Sequence, residues 1–338
     1  MDNPVDAFRQ AMHDAGLVYQ GEIIQDGQLH RVHLQGDKPA TKNGWYLLFP
    51  DPPISGSFGS WRLGVQRIWT CSHDRDRQRD PALRQQLLQR QQIAHQAEQQ
   101  QRLERWQGVA VQAARIWTSA VPADPGHPYL RRKEVQTHGI RQGRWQKSVE
   151  LEPGVWRQMA VENTLLVPLC DEDGRLWSLQ AIFPERHAVL GRDKDFLTGG
   201  RKSGLFYCLP DQSGRGSGES VFSLASYHKS ATDRVMLFAE GYATAATLFE
   251  QTGYLTFVCF DAGNIKPVAT SVSRFFPSFS KVVAADNDRE TEGNPGVTKA
   301  TEAAREIGGV VLVPRFGDGE PGSDWNDWAA NRREVCHG

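Results

Sequence analysis

The sequence SKVVAADNDRETEGNPG, residues 280–296, contains the most informative pattern of this chain. Its apolar part, residues 282–285, has the length of a strand and leads directly to two aspartates, Asp286 and Asp288. A loop containing glycine and proline follows and predicts a turn into the next element. An Asp-x-Asp sequence after an apolar run is common and often marks a polar loop, so its neighbours along the chain decide its meaning.

The last third of the chain alternates strand patterns with helix patterns. This order predicts an α/β unit with a mostly parallel sheet and flanking helices. Ligands of such sheets bind beyond the carboxyl ends of the strands. The predicted strands are RVMLFAEG, LTFVCFD, KVVAAD and GVVLVPRF, and the helices between them are YATAATLFEQTG, IKPVATSVSRFF and GVTKATEAAREIG.

Acidic residues follow three of these strands. Glu240 follows the first, Asp286 and Asp288 follow the third, and Asp324 and Asp327 lie in GSDWNDW after the last. Crowded carboxylates raise each other's pKa unless a cation neutralises them, and a hard divalent ion prefers such oxygen ligands. We therefore predict a site for Mg²⁺, with Mn²⁺ as an alternative, at this edge of the sheet.

The rest of the chain is predicted to be α+β. A short helix over residues 5–16 precedes alternating and aromatic runs that are typical of a small antiparallel sheet. A second region contains a hairpin that turns at Asp173 and Gly174 and a strand at GLFYCL. The predicted segments are a β-rich module over 1–72, a Gln- and Arg-rich helical linker over 73–120, an α+β subdomain over 121–232, and the α/β unit over 233–338.

Bulk composition excludes several classes of protein. Lys and Arg number 39 against 40 Asp and Glu, so no strong overall field attracts nucleic acid or membrane, and polyanion binding must use local patches. The absence of a long apolar run and of a signal-peptide pattern predicts a cytoplasmic protein without a membrane partner. The five cysteines form no CxxC or Cys/His cluster, so we expect no zinc and no disulfide framework.

Two sets of side chains have two interpretations each. Basic residues near the predicted edge either bind phosphates or are solvated surface charges, and Gly263 with Asn264 forms either a substrate contact or merely a tight turn. Aromatic residues of the first module either stack on single-stranded bases or form its core. The basic candidates are Arg131, Arg132, Lys133, Arg186, Lys194, Arg201 and Lys202, and the aromatic ones are Trp45, Tyr46, Phe58 and Trp61.

Three motifs, FAEGYATA, AADND and GSDWND, resemble in sequence and order the acidic motifs of the Toprim domain, over about residues 233–330. Bacterial-type DNA primases, topoisomerases and certain nucleases share that domain. No GxxxxGK[ST] sequence is present, which disfavours the nucleases with a linked ATPase, and no region is large enough for a topoisomerase clamp. HPYLRRKEV and KDFLTGGRKSGLFYCL are similar to segments of the primase catalytic core, and the N-terminal runs resemble plasmid and conjugative-element primases.

The resemblance implies a primase that makes short RNA primers from NTPs on a single-stranded DNA template of a plasmid, mobile element or phage. It gives Glu240, Asp286 and Asp288 the catalytic and metal-binding role, with Asp324 and Asp327 as supporting ligands. Candidate protein partners are a replicative helicase or a relaxase. The chain departs from housekeeping primases in lacking zinc-ribbon cysteines and in having Thr244 where those enzymes often have aspartate. A Toprim nuclease and a non-catalytic single-strand-binding protein are the alternatives.

Overall fold

The computed structural model describes residues 3–37, 41–51, 54–60, 62–71, 81–152, 155–209, 224 and 234–337. The chain divides into two compact units, residues 1–104 and 105–338. The three boundaries between the segments inferred from sequence stay predictions, and those at 72/73 and 232/233 lie outside the described residues. The polar sequence of residues 210–220 predicts a loop, which also lies outside them.

The first unit begins with a helix and continues as an antiparallel sheet. Helix α1 starts where the Asn3 side chain accepts a hydrogen bond from the Val5 amide, with Pro4 at the first helical position. Four strands then pair in chain order, as expected for hairpin connections. The elements are α1 Pro4–Asp14, β1 His30–Val32, β2 Gly44–Leu48, β3 Ser55–Ser60 and β4 Val65–Thr70.

The aromatic residues of this sheet form its core. Trp45, Tyr46 and Phe58 are at most 4% exposed, and Phe8 of α1 packs edge-on against Tyr46 and Phe58. Base stacking requires an exposed ring face, so the stacking interpretation is wrong for these three residues. Trp61, the fourth candidate, lies outside the described residues.

Helix α2, Pro81–Ser119, covers 39 residues without an internal proline and lies within the segment 73–120 that was predicted to be a helical linker. Its residues from Arg105 onward belong to the second unit, where Val109, Ala110 and Ala113 are buried. Among the helices of the described ranges, none combines the length and the apolar character needed to cross a membrane.

The second unit contains two five-stranded sheets. The first is antiparallel throughout, in the order β5-β6-β7-β8-β9, and its β7–β8 connection is the hairpin predicted at Asp173 and Gly174. Asp171 closes that turn by accepting from the amides of Asp173 and Arg175. The elements are β5 Val121–Pro122, α3 Pro128–Lys133, β6 Arg141–Glu152, β7 Val155–Cys170, β8 Leu176–His187 and β9 Arg192–Phe196.

The second sheet of this unit has the order β10-β12-β11-β13-β14. Strand β10 is antiparallel to β12 and the other pairs are parallel, which confirms the predicted mostly parallel sheet with flanking helices. The elements are β10 Tyr207–Leu209, β11 Val235–Ala239, α4 Tyr242–Thr252, β12 Leu255–Val258, α5 Ala262–Ser273, β13 Ser280–Ala284, α6 Pro295–Ile307, β14 Val310–Leu312 and α7 Trp325–His337.

Strand β11 lies in the middle of this sheet and is buried on both faces. Met236 and Phe238 point into one apolar cluster, whereas Leu237 and Ala239 point into the other. Parallel strands that are covered on both sides read as continuous apolar runs, and VMLFA is such a run. Because both faces are filled, a ligand has access at the carboxyl ends of the strands.

Candidate functional site

The carboxyl ends of three neighbouring strands meet at one edge of the parallel sheet. Ala239 at the end of β11 pairs with Ala284 at the end of β13 and with Val258 at the end of β12. The residues that follow these strands therefore lie side by side. They include acidic residues after each strand, and together with an aspartate before α7 they form a set that we name the acidic rim: Glu240, Asp261, Asp286, Asp288 and Asp324.

Asp286 is the residue of the acidic rim with the most unfavourable environment. Burial and the neighbouring charges of Glu240, Asp324 and Asp288 raise the pKa of Asp286 to about 8. Its Oδ1 atom is buried and has no hydrogen-bond partner among the described residues. A buried carboxylate oxygen without a partner is costly, so this atom is suited to a cation that the protein alone does not provide.

Glu240 lies between β11 and α4. Burial raises its pKa, and the charges of Asp261 and Asp288 act in the same direction. The Lys194 ammonium opposes both shifts, and it lies close to the rim, since a Cβ atom built on Gly241 would be 3.8 Å from Lys194 Nζ. Lys194 therefore reduces the negative charge around Glu240 but does not balance it.

Asp288 is oriented by the start of helix α6. Its Oδ2 atom accepts from the Gly296 amide at 3.0 Å, and its own amide donates to Asn294 Oδ1 at 3.0 Å. Asn294 has φ of 40°, a left-handed conformation that asparagine tolerates better than most residues. Thus the NPG sequence in residues 280–296 fixes the second aspartate of the Asp-x-Asp pair.

The two aspartates of GSDWNDW have different roles. Asp324 contributes to the raised pKa of Asp286, and its Oδ1 atom accepts from the Asp327 amide at the start of α7. Asp327 instead pairs with Lys133 Nζ at 3.0 Å and accepts from the Ser323 amide. Burial opposes ionisation of Asp327, but the Lys133 pair and these backbone contacts outweigh it and lower its pKa. Asp324 therefore belongs to the rim, and Asp327 joins α7 to α3.

Asp261 was not among the residues predicted from sequence. It precedes α5, accepts from the Asn264 amide at 2.9 Å, and its charge contributes to the raised pKa of Glu240. The signal for it is present in FVCFDAGN, where an aspartate follows a strand and precedes a helix, as Asp286 and Asp288 do. The same reasoning applied to every strand end would have found it.

The side chains of the two predicted basic residues Arg201 and Lys202 point to different places. The Arg201 guanidinium lies 5.2 Å from the centre of the Trp177 ring, whereas Lys202 Nζ lies 2.5 Å from Asp261 Oδ2. Lys202 is thus the member of the pair that lies at the acidic rim. Lys194 of β9 is the second predicted basic residue there.

Gly263 and Asn264 occupy the first turn of α5. The Asn264 side chain is 3% exposed and donates to the carbonyls of Leu205 and Cys259, while its Oδ1 accepts from the Gly204 amide. These bonds hold the β9–β10 loop against the start of α5. Asn264 therefore has a structural role: it connects the loop beside the site to the start of α5. Gly263 lies beside Asp261, since a Cβ atom built there would be 3.2 Å from Asp261 Oδ1.

The remaining basic candidates lie on another part of the second unit. Arg132 and Arg186 line an open cleft of about 600 Å³ together with Arg192. Arg132 donates to the Pro184 carbonyl, and its guanidinium lies over the Tyr129 ring. Arg131 is exposed on α3. These three predicted residues are not part of the acidic rim.

The rim residues fit a hard divalent cation in their chemistry. They offer carboxylate oxygens, including the unpartnered Asp286 Oδ1, and Mg²⁺ binds with one or two carboxylates while water and substrate phosphates complete its shell. Within the described residues, no group of three or more His, Cys, Asp or Glu side chains is arranged to hold a metal ion by itself. The donor set fits an open site that shares its metal with a substrate. Thr244, buried in α4, provides no carboxylate to it.

Comparison with known proteins agrees with this reading of the second unit. Residues 235–333 match the family model described as the Toprim domain. The chain is 32% identical over 326 residues to a DNA primase TraC of Escherichia coli, covering 94% of this chain and 27% of that protein. A second DNA primase TraC of Escherichia coli is 27% identical over 327 residues, with 94% and 20% covered. The chain thus spans at most about a quarter of the length of these relatives.

The solved structures that this chain matches include two primases. The Aquifex aeolicus primase, with its zinc-binding and RNA polymerase domains, has a TM-score of 0.44 and 12% identity, covering 100% of this chain and 85% of that chain. A DnaG primase catalytic domain bound to ssDNA has a TM-score of 0.43 and 15% identity, covering 70% and 79%.

Proposed function

We propose that this protein is a DNA primase that synthesises short RNA primers on single-stranded DNA, with Mg²⁺ as the metal. The observation that supports this most directly is the acidic rim, in which the Asp286 Oδ1 atom is buried without a partner and the pKa of Asp286 is raised. The rim lies in the segment that matches the Toprim domain, and the similarity to the TraC primases extends over nearly the whole chain. A plasmid or conjugative element is the replicon that this similarity favours.

The reaction joins the 3′-oxygen of the growing primer to the α-phosphorus of an incoming NTP. The bond from the α-phosphorus to the oxygen that bridges the α- and β-phosphates breaks, and pyrophosphate leaves. Glu240, Asp286 and Asp288 would hold the metal, with Asp324 in support. Bound there, a divalent cation supplies positive charge to the phosphates and lowers the pKa of the primer hydroxyl.

The protein's own residues orient these groups. The Gly296 amide fixes the Asp288 carboxylate, so this ligand is preorganised rather than mobile. Lys194 and Lys202 lie at the rim and provide charge for the triphosphate. Arg132 and Arg186 line the cleft that we assign to the template backbone. Candidate partners are the template, NTPs and a replicative helicase or relaxase.

One assay distinguishes this function from its alternatives. Single-stranded DNA incubated with labelled NTPs and Mg²⁺ should yield short labelled oligonucleotides. A Toprim nuclease would instead shorten the DNA, and a non-catalytic binding protein would give a mobility shift alone.

The matched variants change two carboxylates each. Asp286→Ala with Asp288→Ala should abolish primer synthesis in a folded protein. Glu290→Ala with Glu292→Ala, two exposed positions of the same loop, should leave it intact. Primer synthesis that survives the first double substitution would refute the assignment of the metal ligands.

A further inference from the structure

An ion pair connects the acidic rim to the β9–β10 loop. Lys202 Nζ lies 2.5 Å from Asp261 Oδ2, and the two side chains are 42% and 34% exposed. A substrate can therefore reach the Lys202 ammonium, whereas the Asp261 Oδ2 atom itself is buried. The Lys202 ammonium also lies 5.0 Å from the centre of the Phe196 ring, so the cation has two neighbours that define its position.

The carboxylate of this pair is itself fixed. Asp261 is the residue before helix α5, and its Oδ1 atom accepts from the Asn264 amide at 2.9 Å. An aspartate in this position is held by the helix N-terminus through a charge-assisted hydrogen bond. Since Oδ1 is engaged with the helix, Oδ2 is left in a defined place to pair with Lys202.

The loop that contains Lys202 is held against the same helix. Gly204 donates its amide to Asn264 Oδ1 at 2.8 Å, and the Asn264 side chain donates to the Leu205 carbonyl at 2.9 Å. The Leu205 amide in turn donates to the Lys202 carbonyl at 3.0 Å. Backbone and side chain of Lys202 are thus both tied to the start of α5.

The start of α5 lies beside Glu240. The Cys259 amide donates to the Ala239 carbonyl at 2.8 Å, which brings the ends of β11 and β12 together. The backbone amide of Ala262, the residue after Asp261, also acts on the Glu240 carboxylate. The Lys202–Asp261 pair is therefore placed at the Glu240 side of the rim.

We infer that Asp261 is a positioning residue that holds the Lys202 ammonium beside Glu240, where Lys202 binds the phosphates of the incoming nucleotide. This inference rests on the proposed nucleotidyl transfer. A lysine side chain loses rotamer freedom when it binds an anion, and a lysine that is already held loses less on binding. Asp261 thus improves nucleotide binding although its own charge repels phosphate.

The two effects of Asp261 have opposite signs, so one substitution separates them. Asp261→Asn removes the charge and preserves the helix cap, because asparagine caps helices as well as aspartate does. If Asp261 positions Lys202, this change raises the KM for NTP. If Asp261 merely repels phosphate, the same change lowers it.

The experiment is a double-substitution cycle measured by primer synthesis on single-stranded DNA. We expect Asp261→Asn to raise the KM for NTP by about 3- to 10-fold, with kcat within about twofold of wild type. Lys202→Ala should raise it further, and the double variant should match Lys202→Ala alone. Additive effects, or a lower KM for Asp261→Asn, overturn the inference.

A second ion pair provides the matched control. Lys299 and Glu302 form an exposed pair at 2.8 Å on helix α6. Lys299→Ala and Glu302→Gln should leave the KM for NTP at the wild-type value, and equal shifts in this pair would assign the effect to general surface charge. Thermal unfolding of Asp261→Asn within a few degrees of wild type confirms that the cap is preserved.

Equilibrium binding separates failure of this inference from failure of the proposed function. The probe is a fluorescent ATP analogue with Mg²⁺, followed by anisotropy, and the same cycle should appear in its Kd. If the wild type makes no primer yet binds the analogue with this cycle, the proposed function fails and the positioning role stands. If the wild type makes primers and the cycle is absent, the positioning role fails alone. If the wild type neither makes primers nor binds the analogue, both the proposed function and the positioning role are refuted.

Discussion

The Gly296 amide donates a hydrogen bond to Asp288 Oδ2 at 3.0 Å, so the first turn of α6 fixes the second aspartate of the Asp-x-Asp pair. Gly296 also lies close to the backbone of the first aspartate, Asp286. A Cβ atom built on Gly296 would lie 2.3 Å from the Asp286 carbonyl oxygen, which is a backbone atom and cannot turn away. The glycine at this position is therefore required by both aspartates.

Gly296→Ala should distort the Asp-x-Asp loop. We expect a loss of about 1–3 kcal/mol in the free energy of unfolding, as for other overpacked buried sites, and a loss of most primer synthesis. Urea unfolding and the primer assay measure the two effects. Gly108→Ala in α2, where a Cβ atom meets nothing within 4 Å, is the control and should be neutral or stabilising by up to about 1 kcal/mol. A Gly296→Ala protein as stable and active as wild type would contradict the proposed geometry.

The raised pKa of Asp286 predicts a pH dependence of stability in EDTA. The folded state retains a proton on Asp286 up to about pH 8, whereas the unfolded state loses it near pH 4. The folded state therefore binds more protons between these values, and stability falls as pH rises through this window, by up to about 5 kcal/mol. Urea unfolding of wild type and Asp286→Asn from pH 4 to pH 8 measures this. The stability of Asp286→Asn relative to wild type should increase as pH rises. If the free energies of unfolding of the two proteins change in parallel with pH, the raised pKa of Asp286 is contradicted.

The Lys133–Asp327 pair predicts that Asp327 serves stability rather than metal binding. Both side chains are partly exposed, so Asp327→Asn should cost about 1 kcal/mol. The Mg²⁺ concentration for half-maximal primer synthesis should stay at the wild-type value. Asp324→Asn, at the neighbouring rim position, should instead raise that concentration several-fold. A similar rise in this concentration for Asp327→Asn would show that Asp327 is a metal ligand.

Substitution of Asn264 should have a large effect on the free energy of unfolding. Its side chain is buried and makes three hydrogen bonds to backbone groups, so Asn264→Ala leaves the carbonyls of Leu205 and Cys259 and the Gly204 amide without partners. We expect a loss of about 2–4 kcal/mol in urea unfolding. Asn331→Ala, which removes the exposed bond to the Pro321 carbonyl and a side-chain contact with Glu320, should cost about 1 kcal/mol or less. Equal losses for the two variants would contradict the role of Asn264 as a support.

The cleft lined by Arg132, Arg186 and Arg192 predicts salt-dependent template binding. Arg186→Ala should weaken binding of a single-stranded oligonucleotide and reduce the slope of log K against log salt by about 0.7 for one lost phosphate contact. Fluorescence anisotropy at several salt concentrations measures the slope. Arg305→Ala, an exposed arginine on α6, is the control and should leave the slope unchanged. An unchanged slope for Arg186→Ala would exclude this cleft from the template path.

Much of the α/β unit was predictable because its signals are local. VMLFA and VVAA are continuous apolar runs, and each leads directly to an acidic residue. Period and composition place strands within a few residues, and the rule that ligands bind at strand ends places Glu240, Asp286 and Asp288 together. The first module was less predictable, because aromatic residues of a small sheet have the same pattern whether they stack on bases or fill its core. Burial of Trp45, Tyr46 and Phe58 decided between these interpretations.

Strands and the acidic residues that follow them are local features, so the amino-acid sequence is enough to predict that carboxylates gather at the end of a mostly parallel sheet. Which of these carboxylates form the rim depends on how the segments pack. Asp324 and Asp327 are three residues apart, and residues at this spacing lie near one face of a helix, so spacing cannot separate them. Lys133, distant in sequence, draws Asp327 away, and Asp261 enters the rim because β12 lies beside β11. The pairing of Lys133 with Asp327 is set by which segments pack together, and no local pattern records it.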